Sequence, residues 1–310
     1  MKFLPVIFLF IGQVFFSGFS KADLLSDYLL YPDPAPSGHE LMLFNKNQLK
    51  ASQKGARNRL WFSTTPYYNQ DISYYKLKTL PHPQNKASYK VVVLYFTGNA
   101  GGAHFGSPWQ SLYPVNWDVE EWSFNYPGFG GAEGDAEVKK IPSLAEKAYQ
   151  ITSEYVEGLR EMSDKPVIFL ISGYSLGSAS ALYLGSQWNA DGLLLYNAPV
   201  FPDILHNHVD NAVGGFLKVV ASPLIWWMFP TKLKTLKNAE RCKKPAVFIT
   251  GCQDEIASRE NQEKLTKHYG GVWERHLIPD MGHQPDAIET SFSREAIRES
   301  LKALITPVNR

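Results

Sequence analysis

Cysteine is scarce in this chain of 310 residues, which carries only Cys242 and Cys252. So few sulfurs exclude a disulfide-stapled scaffold and a cysteine-rich metal domain. An excess of one charge is also missing, since 31 Lys and Arg face 30 Asp and Glu for a net charge of +1. Without a strong basic field, nucleic acid is not an expected partner. No repeat of 20 to 50 residues and no low-complexity tract can be found, which sets aside solenoids and linker-rich architectures. What is present is a 44% hydrophobic share, enough for the buried core of one large domain or two small ones, and incompatible with a disordered or fibrous protein. Aromatic residues make up 14%, and six of the 18 Phe fall in the first 20 positions.

That clustering reads as targeting. Lys2 is followed by an apolar stretch from Phe3 to Phe16, and then by the small residues Ser17, Gly18, Ser20 and Ala22. A positive start, a short apolar core and small residues before a polar segment form the pattern of a secretory signal peptide over residues 1–20. The apolar core is about 14 residues, short of the ~20 that a spanning helix requires. The expectation is export to the periplasm or the medium, with cleavage after Ser20 or Ala22 and an uncleaved membrane anchor as the lesser alternative. No cysteine lies at the junction to take a lipid. Loss of Lys2 with the leader would leave 30 basic and 30 acidic residues.

Export would permit a disulfide, but Cys242 and Cys252 flank the apolar run Pro245 to Thr250, which reads as a strand. At about 3.3 Å per residue a strand holds them well beyond the ~7 Å Cα separation a bridge allows. Both are expected to be free thiols that serve packing.

Residues 24–90 are rich in Tyr, Pro and Asn and read as an irregular region ending in antiparallel strands such as Ile72 to Leu77. From Lys90 onward, short apolar runs alternate with helical periodicity. Runs at Val91–Phe96, Trp117–Phe124, Pro166–Ile171, Gly192–Tyr196, Ala246–Thr250 and Val272–Ile278 read as strands. Leu144, Ala148, Ile151, Tyr155 and Leu159 recur at helical spacing, as do Ile297, Leu301 and Leu304. Strands alternating with helices predict an α/β fold whose mostly parallel central sheet is covered by helices on both faces. The stretch 198–244 is too long for an ordinary connection and is expected to be a cap insertion, partly helical through Val213 to Phe229.

The chemistry centres on Gly173-Tyr174-Ser175-Leu176-Gly177, set between the buried run from Pro166 and the small-residue segment Ser178 to Leu182. Gly-x-Ser-x-Gly alone arises by chance in roughly one chain in ten of this length. Its placement between a strand and a helix makes it informative. A sharp strand-to-helix turn forces the serine into a strained conformation, and the residues two positions either side must lack side chains for the elements to approach. The Ser175 hydroxyl is thereby lifted out of the sheet. The N–H of Leu176 is left unpaired at a helix N-terminus, where an oxyanion would be stabilised.

This arrangement resembles the nucleophile elbow of the α/β-hydrolase superfamily, and the resemblance extends over about 90–310. It implies a catalytic histidine after the last strand, which fits His283 in Met281-Gly282-His283. It also implies an acid after the preceding strand, fitting Asp254 at Gly-x-x-Asp from Gly251, with Glu255 and Asp280 as nearby rivals. The order Ser175, Asp254, His283 is the one this fold uses. His268 and His276 fall in helix-like and strand-like segments and are expected to serve surface or packing roles. The loop Thr97-Gly98-Asn99-Ala100-Gly101 is similar to the His-Gly-Asn-Ala-Gly oxyanion loop of a branch that includes lipid-directed and depalmitoylating hydrolases, with Thr97 in place of the histidine. A second oxyanion donor is expected at the N–H of Asn99, or failing that of Ala100. Asn125 to Gly134 resembles the family's structural tyrosine and glycine loop. Metal and cofactor are not expected, because His206, His208 and Asp210 have no matching ligand pair nearby.

Phe216, Leu217, Val219, Val220, Leu224, Ile225, Trp226, Trp227 and Phe229 make the cap segment strongly apolar. It either packs on the core or roofs a pocket for a hydrophobic acyl group, with membrane-surface contact. The expected activity is that of a serine hydrolase cleaving a carboxylic ester or thioester through an acyl-enzyme, by a carboxylesterase, thioesterase or lipase-like reaction. A serine peptidase on the same fold and a non-catalytic binding module are the alternatives. The whole is expected to be one domain over 24–310.

Overall fold

Between Tyr89 and Ile278, β-branched and aromatic residues recur in short runs, and each run becomes a strand. The computed structural model describes residues 30, 60–63, 67–69, 72–80, 87–99, 101–109, 112–130, 132–201, 203–204, 229–284 and 291–305. Its strands are β1 (Leu60–Ser63), β2 (Tyr67–Asn69), β3 (Ile72–Leu80), β4 (Tyr89–Phe96), β5 (Trp117–Phe124), β6 (Val167–Tyr174), β7 (Gly192–Tyr196), β8 (Ala246–Gly251) and β9 (Trp273–Ile278). All belong to one sheet in the order β1-β3-β5-β4-β6-β7-β8-β9, with β2 paired to β3. From β5 to β9 every pairing is parallel. The pairings of β1, β2 and β5 with β3 are antiparallel.

A parallel strand covered on both sides should be apolar at successive positions. In β4, Val92, Leu94 and Phe96 face one core, and Val91, Val93 and Tyr95 face the other. The first core is closed by α1 (Ile141–Met162), α2 (Leu176–Gln187), α3 (Thr235–Arg241) and α4 (Arg259–Lys267). On the opposite face lies α5 (Ser291–Ile305), which buries Ile297, Leu301 and Ile305. Burying each of these side chains contributes about 1.5–3 kcal/mol. Beside α5 the cover is the β4–β5 connection, which inserts Trp109 and Tyr113 fully into the core. Trp109 stacks on Tyr196 at 4.8 Å between ring centroids.

The buried stripe of α1 is rotated from the expected one. It runs through Ile141, Leu144, Ala145, Ala148, Thr152 and Val156, while Ile151, Tyr155 and Leu159 lie on its flank. Tyr155 packs there on Trp122, 4.8 Å away, and its hydroxyl donates to Glu120 at 3.3 Å. An aromatic ring with a polar tip favours such a boundary position over the dry centre.

Cys242 is buried and Cys252 half-buried, both free, with β8 between them. Burial pushes the Cys242 thiol above its usual range. The leader and the middle of the cap segment, 205–228, lie outside the described residues. Toward the end of the stretch 198–244, α3 packs in the helix layer, where the Thr235 hydroxyl accepts from Phe201 N at 2.8 Å. Among the described residues, no helix is long and apolar enough to cross a membrane.

Candidate active site

Every parallel strand of this sheet ends on the same edge, where α/β proteins gather their ligands and catalytic groups. Ser175 follows β6 there with φ 49° and ψ −115°, a left-handed backbone that a β-substituted residue adopts only under strain. Two close approaches enforce the bend. A Cβ on Gly173 would stand 2.3 Å from the Gly177 carbonyl oxygen, and one on Gly177 only 2.1 Å from that of Phe96. The Ser175 N–H remains in the ladder, donating to Tyr196 O at 3.0 Å. Its hydroxyl makes no helix-capping bond and so stays available.

His283 Nε2 lies 2.9 Å from Ser175 Oγ, and its Nδ1 lies 2.8 Å from Asp254 Oδ2. Both Asp254 oxygens act as acceptors. Oδ1 takes the N–H groups of Ile256 at 2.9 Å and Ala257 at 2.7 Å, and Oδ2 takes Gln262 Nε2 at 3.2 Å. An acceptor-only carboxylate requires the proton on Nδ1, which leaves the Nε2 lone pair facing the serine hydroxyl. The structure therefore brings Ser175, Asp254 and His283 into one hydrogen-bonded chain. Glu255 and Asp280, the rival carboxylates, are exposed. His268 is exposed and bonds Lys264 O, while His276 bonds the Ser300 hydroxyl of α5 at 2.8 Å. Burial lowers the pKa of His276, and Glu274 opposes that shift.

Leu176 opens α2, so its N–H has no acceptor within the helix. The loop after β4 also reaches Ser175, since a Cβ on Gly98 would stand 3.5 Å from Ser175 Cβ. Asn99 follows and is half-buried, whereas Ala100 lies outside the described residues. At Thr97 the backbone carbonyl accepts the Tyr126 hydroxyl at 2.8 Å. Asn125 ties the two loops together, accepting from Ala103 N at 3.2 Å and donating to Gly130 O at 3.4 Å. His206, His208 and Asp210 lie outside the described residues.

Four residues that the sequence does not single out complete the surroundings. Gln262 orients Asp254 from α4, where it is one polar residue in a highly charged helix. Tyr174, the variable second residue of the pentapeptide, donates its hydroxyl to His283 O at 2.8 Å. Asn197, just past β7, donates to the same carbonyl. Glu121 is fully buried in β5, accepting Ser107 N and Oγ, each at 2.5 Å, and the Tyr113 hydroxyl at 3.2 Å. Burial raises its pKa to about 7 against the lowering effect of those bonds.

No protein-family model matches the chain. Solved structures do resemble it. An esterase of Pyrococcus furiosus superposes with a TM-score of 0.55 at 14% identity, over 89% of this chain and 98% of that one. The peroxisomal alpha-beta-hydrolase Lpx1 of Saccharomyces cerevisiae gives 0.52 at 14%, over 81% and 90%. An acylaminoacyl peptidase of Pyrococcus horikoshii gives 0.53 at 11%, covering 84% of this chain and 44% of its own. At such identities the likeness concerns architecture, and together with the strand order and the two-sided helical cover it shows that this chain has the α/β-hydrolase fold.

Proposed function

We propose that the protein is a serine hydrolase that cleaves a carboxylic ester or thioester through an acyl-enzyme. One observation carries the reading: an unbroken hydrogen-bonded chain from Ser175 Oγ through His283 to Asp254, at 2.9 and 2.8 Å. A serine hydroxyl attacks poorly at neutral pH unless a base removes its proton, and His283 is within reach to do so.

In the proposed cycle, Ser175 Oγ bonds to the substrate carbonyl carbon as its proton passes to His283 Nε2. The carbonyl oxygen becomes an oxyanion held by the N–H groups of Leu176 and Asn99. Asp254 stabilises the imidazolium and keeps it oriented. Collapse of the intermediate breaks the bond to the alcohol or thiol, which leaves with the proton from His283. Water then repeats the sequence on the acyl-enzyme, with His283 again as base, and releases the carboxylic acid and free Ser175.

A hydrophobic acyl group is the proposed substrate feature, supported by the apolar composition of Phe216 to Phe229. The leader pattern of residues 1–20 supports action outside the cytoplasm. A series of p-nitrophenyl esters from two to twelve acyl carbons tests the reading. The expected result is hydrolysis throughout, with kcat/KM rising about tenfold or more from acetyl to an optimum of six carbons or longer, since each buried methylene contributes about 0.8 kcal/mol. An optimum at acetyl would refute the hydrophobic-acyl assignment. Turnover of peptide amides without turnover of any ester would refute ester hydrolysis itself.

A further inference from the structure

Asn197 is wholly buried at the end of β7 and has φ 44°. Apart from Ser175, it is the one non-glycine residue with positive φ among the described residues. A left-handed backbone is more accessible to asparagine than to most residues, yet it still carries an energetic cost. The amide lies between the end of β8 and the loop that follows β9. There Oδ1 accepts from Gly251 N at 2.7 Å. Nδ2 donates to Gly282 O at 3.0 Å and to His283 O at 2.9 Å. Both hydrogens of the amide nitrogen are used, which also fixes which end of the amide is nitrogen.

These partners are the roots of two different arms of the site. Gly251 opens the turn that delivers Asp254, and Gly282 with His283 forms the loop that carries the imidazole. The third arm is attached one residue earlier, because Tyr196 O accepts the N–H of Ser175 at 3.0 Å. The backbone of Asn197 is held as well, donating to Ile249 O at 2.9 Å. Tyr196 and Asn197 are therefore the point from which nucleophile, acid and base are all referenced. The Asp254 and His283 arms come from chain segments 29 residues apart, and the imidazole must meet Asp254 at Nδ1 and Ser175 at Nε2 within hydrogen-bond distance at the same time.

We infer that Asn197 is a positioning residue for hydrolysis: its side chain sets the spacing between the acid loop and the base loop, so that His283 engages Asp254 and Ser175 at the same time. The inference rests on the serine-hydrolase reading of the site. A buried amide serving only the β7 turn would need its backbone conformation and one local bond. Three bonds to two distant loops are what alignment requires.

Glycine tolerates the backbone at 197 but deletes all three side-chain bonds, so Asn197→Gly separates alignment from turn geometry. With purified full-length protein and p-nitrophenyl hexanoate, kcat is expected to fall about 100-fold, the scale that misplacement by about 1 Å carries, while KM stays within about threefold. The acid limb of the pH–kcat/KM profile should move to lower pH by about half a unit or more. A loosened Asp254 stabilises the imidazolium less, so the base loses its proton more readily. Asn197→Asp serves as the second variant if the glycine variant does not fold. It keeps an acceptor for Gly251 N–H and puts a single acceptor oxygen where Nδ2 made two donations to the His283 loop, and it should lose at least tenfold in kcat with KM within about threefold.

A folded variant with kcat within threefold of wild type overturns the inference, as does a loss confined to KM or, for Asn197→Gly, an unmoved pH profile. Failure of the underlying reading is distinguishable: wild type itself would then neither hydrolyse the ester nor react with a fluorophosphonate.

Discussion

Ser175→Ala is expected to abolish labelling by a fluorophosphonate and to lower kcat/KM for p-nitrophenyl esters by about 10⁴-fold or more. The size follows from the division of labour in such a site. Removing the nucleophile leaves the oxyanion donors and substrate binding intact, and these support only a small part of the rate. The variant should fold normally, because Ser175 Oγ makes no capping bond and its N–H stays in the ladder with Tyr196. His283→Ala should lose a comparable factor, and the double variant little more, since the two act as one unit. Equal labelling of wild type and Ser175→Ala would remove the serine from the mechanism. Equal labelling with unaltered ester turnover would place the chemistry elsewhere in the molecule.

Stability should depend on pH through Glu121. Its pKa is raised from 4.5 to about 7 in the folded protein, chiefly because burial disfavours the ionised carboxylate. Between these values the folded state holds a proton that the unfolded chain has released. The contribution from this group is therefore fully present below about pH 4.5 and is lost as pH rises through about 7. A shift of this size corresponds to about 3 kcal/mol. Glu121→Gln keeps the shape and remains neutral at every pH. Urea unfolding of both proteins at pH 5 and pH 8 checks the point: relative to the variant, wild type should lose about 2–3 kcal/mol on going to the higher pH, and a pH-independent difference would refute it. The loop that bonds Glu121 through Ser107 is the same connection that begins at Thr97 and Asn99. Loosening it at alkaline pH bears on the proposed oxyanion donor as well as on the fold.

Much of this was readable from residue order because the signals were local. The strands Trp117–Phe124 and Gly192–Tyr196 coincide with their apolar runs, and Gly173 and Gly177 stand where a Cβ would collide with backbone. Ser175, Asp254 and His283 sit immediately after strands, where motif and topology agree. Other features depend on contacts between segments far apart in the chain. Asn197 looks like an ordinary turn residue until Gly251 and His283 are brought to it, and Glu121 looks like a solvated charge in Asp118-Val119-Glu120-Glu121 until Ser107 and Tyr113 close over it. The rotation of the α1 stripe has the same origin. Spacing fixes that a helix is amphipathic, and the neighbours, here Trp122 beside Tyr155, decide which side chains sit at its edge.

The backbone at Ser175 has a consequence for how the sequence could change. A residue with a Cβ held at φ 49° and ψ −115° destabilises the folded state by about 1–3 kcal/mol, which glycine would largely relieve. A lineage selected for folding alone would drift toward glycine at position 175, giving up the hydroxyl bond to His283 for a relaxed backbone. Serine there is the residue that backbone energetics alone would discard, and the proposed nucleophilic role would account for its presence.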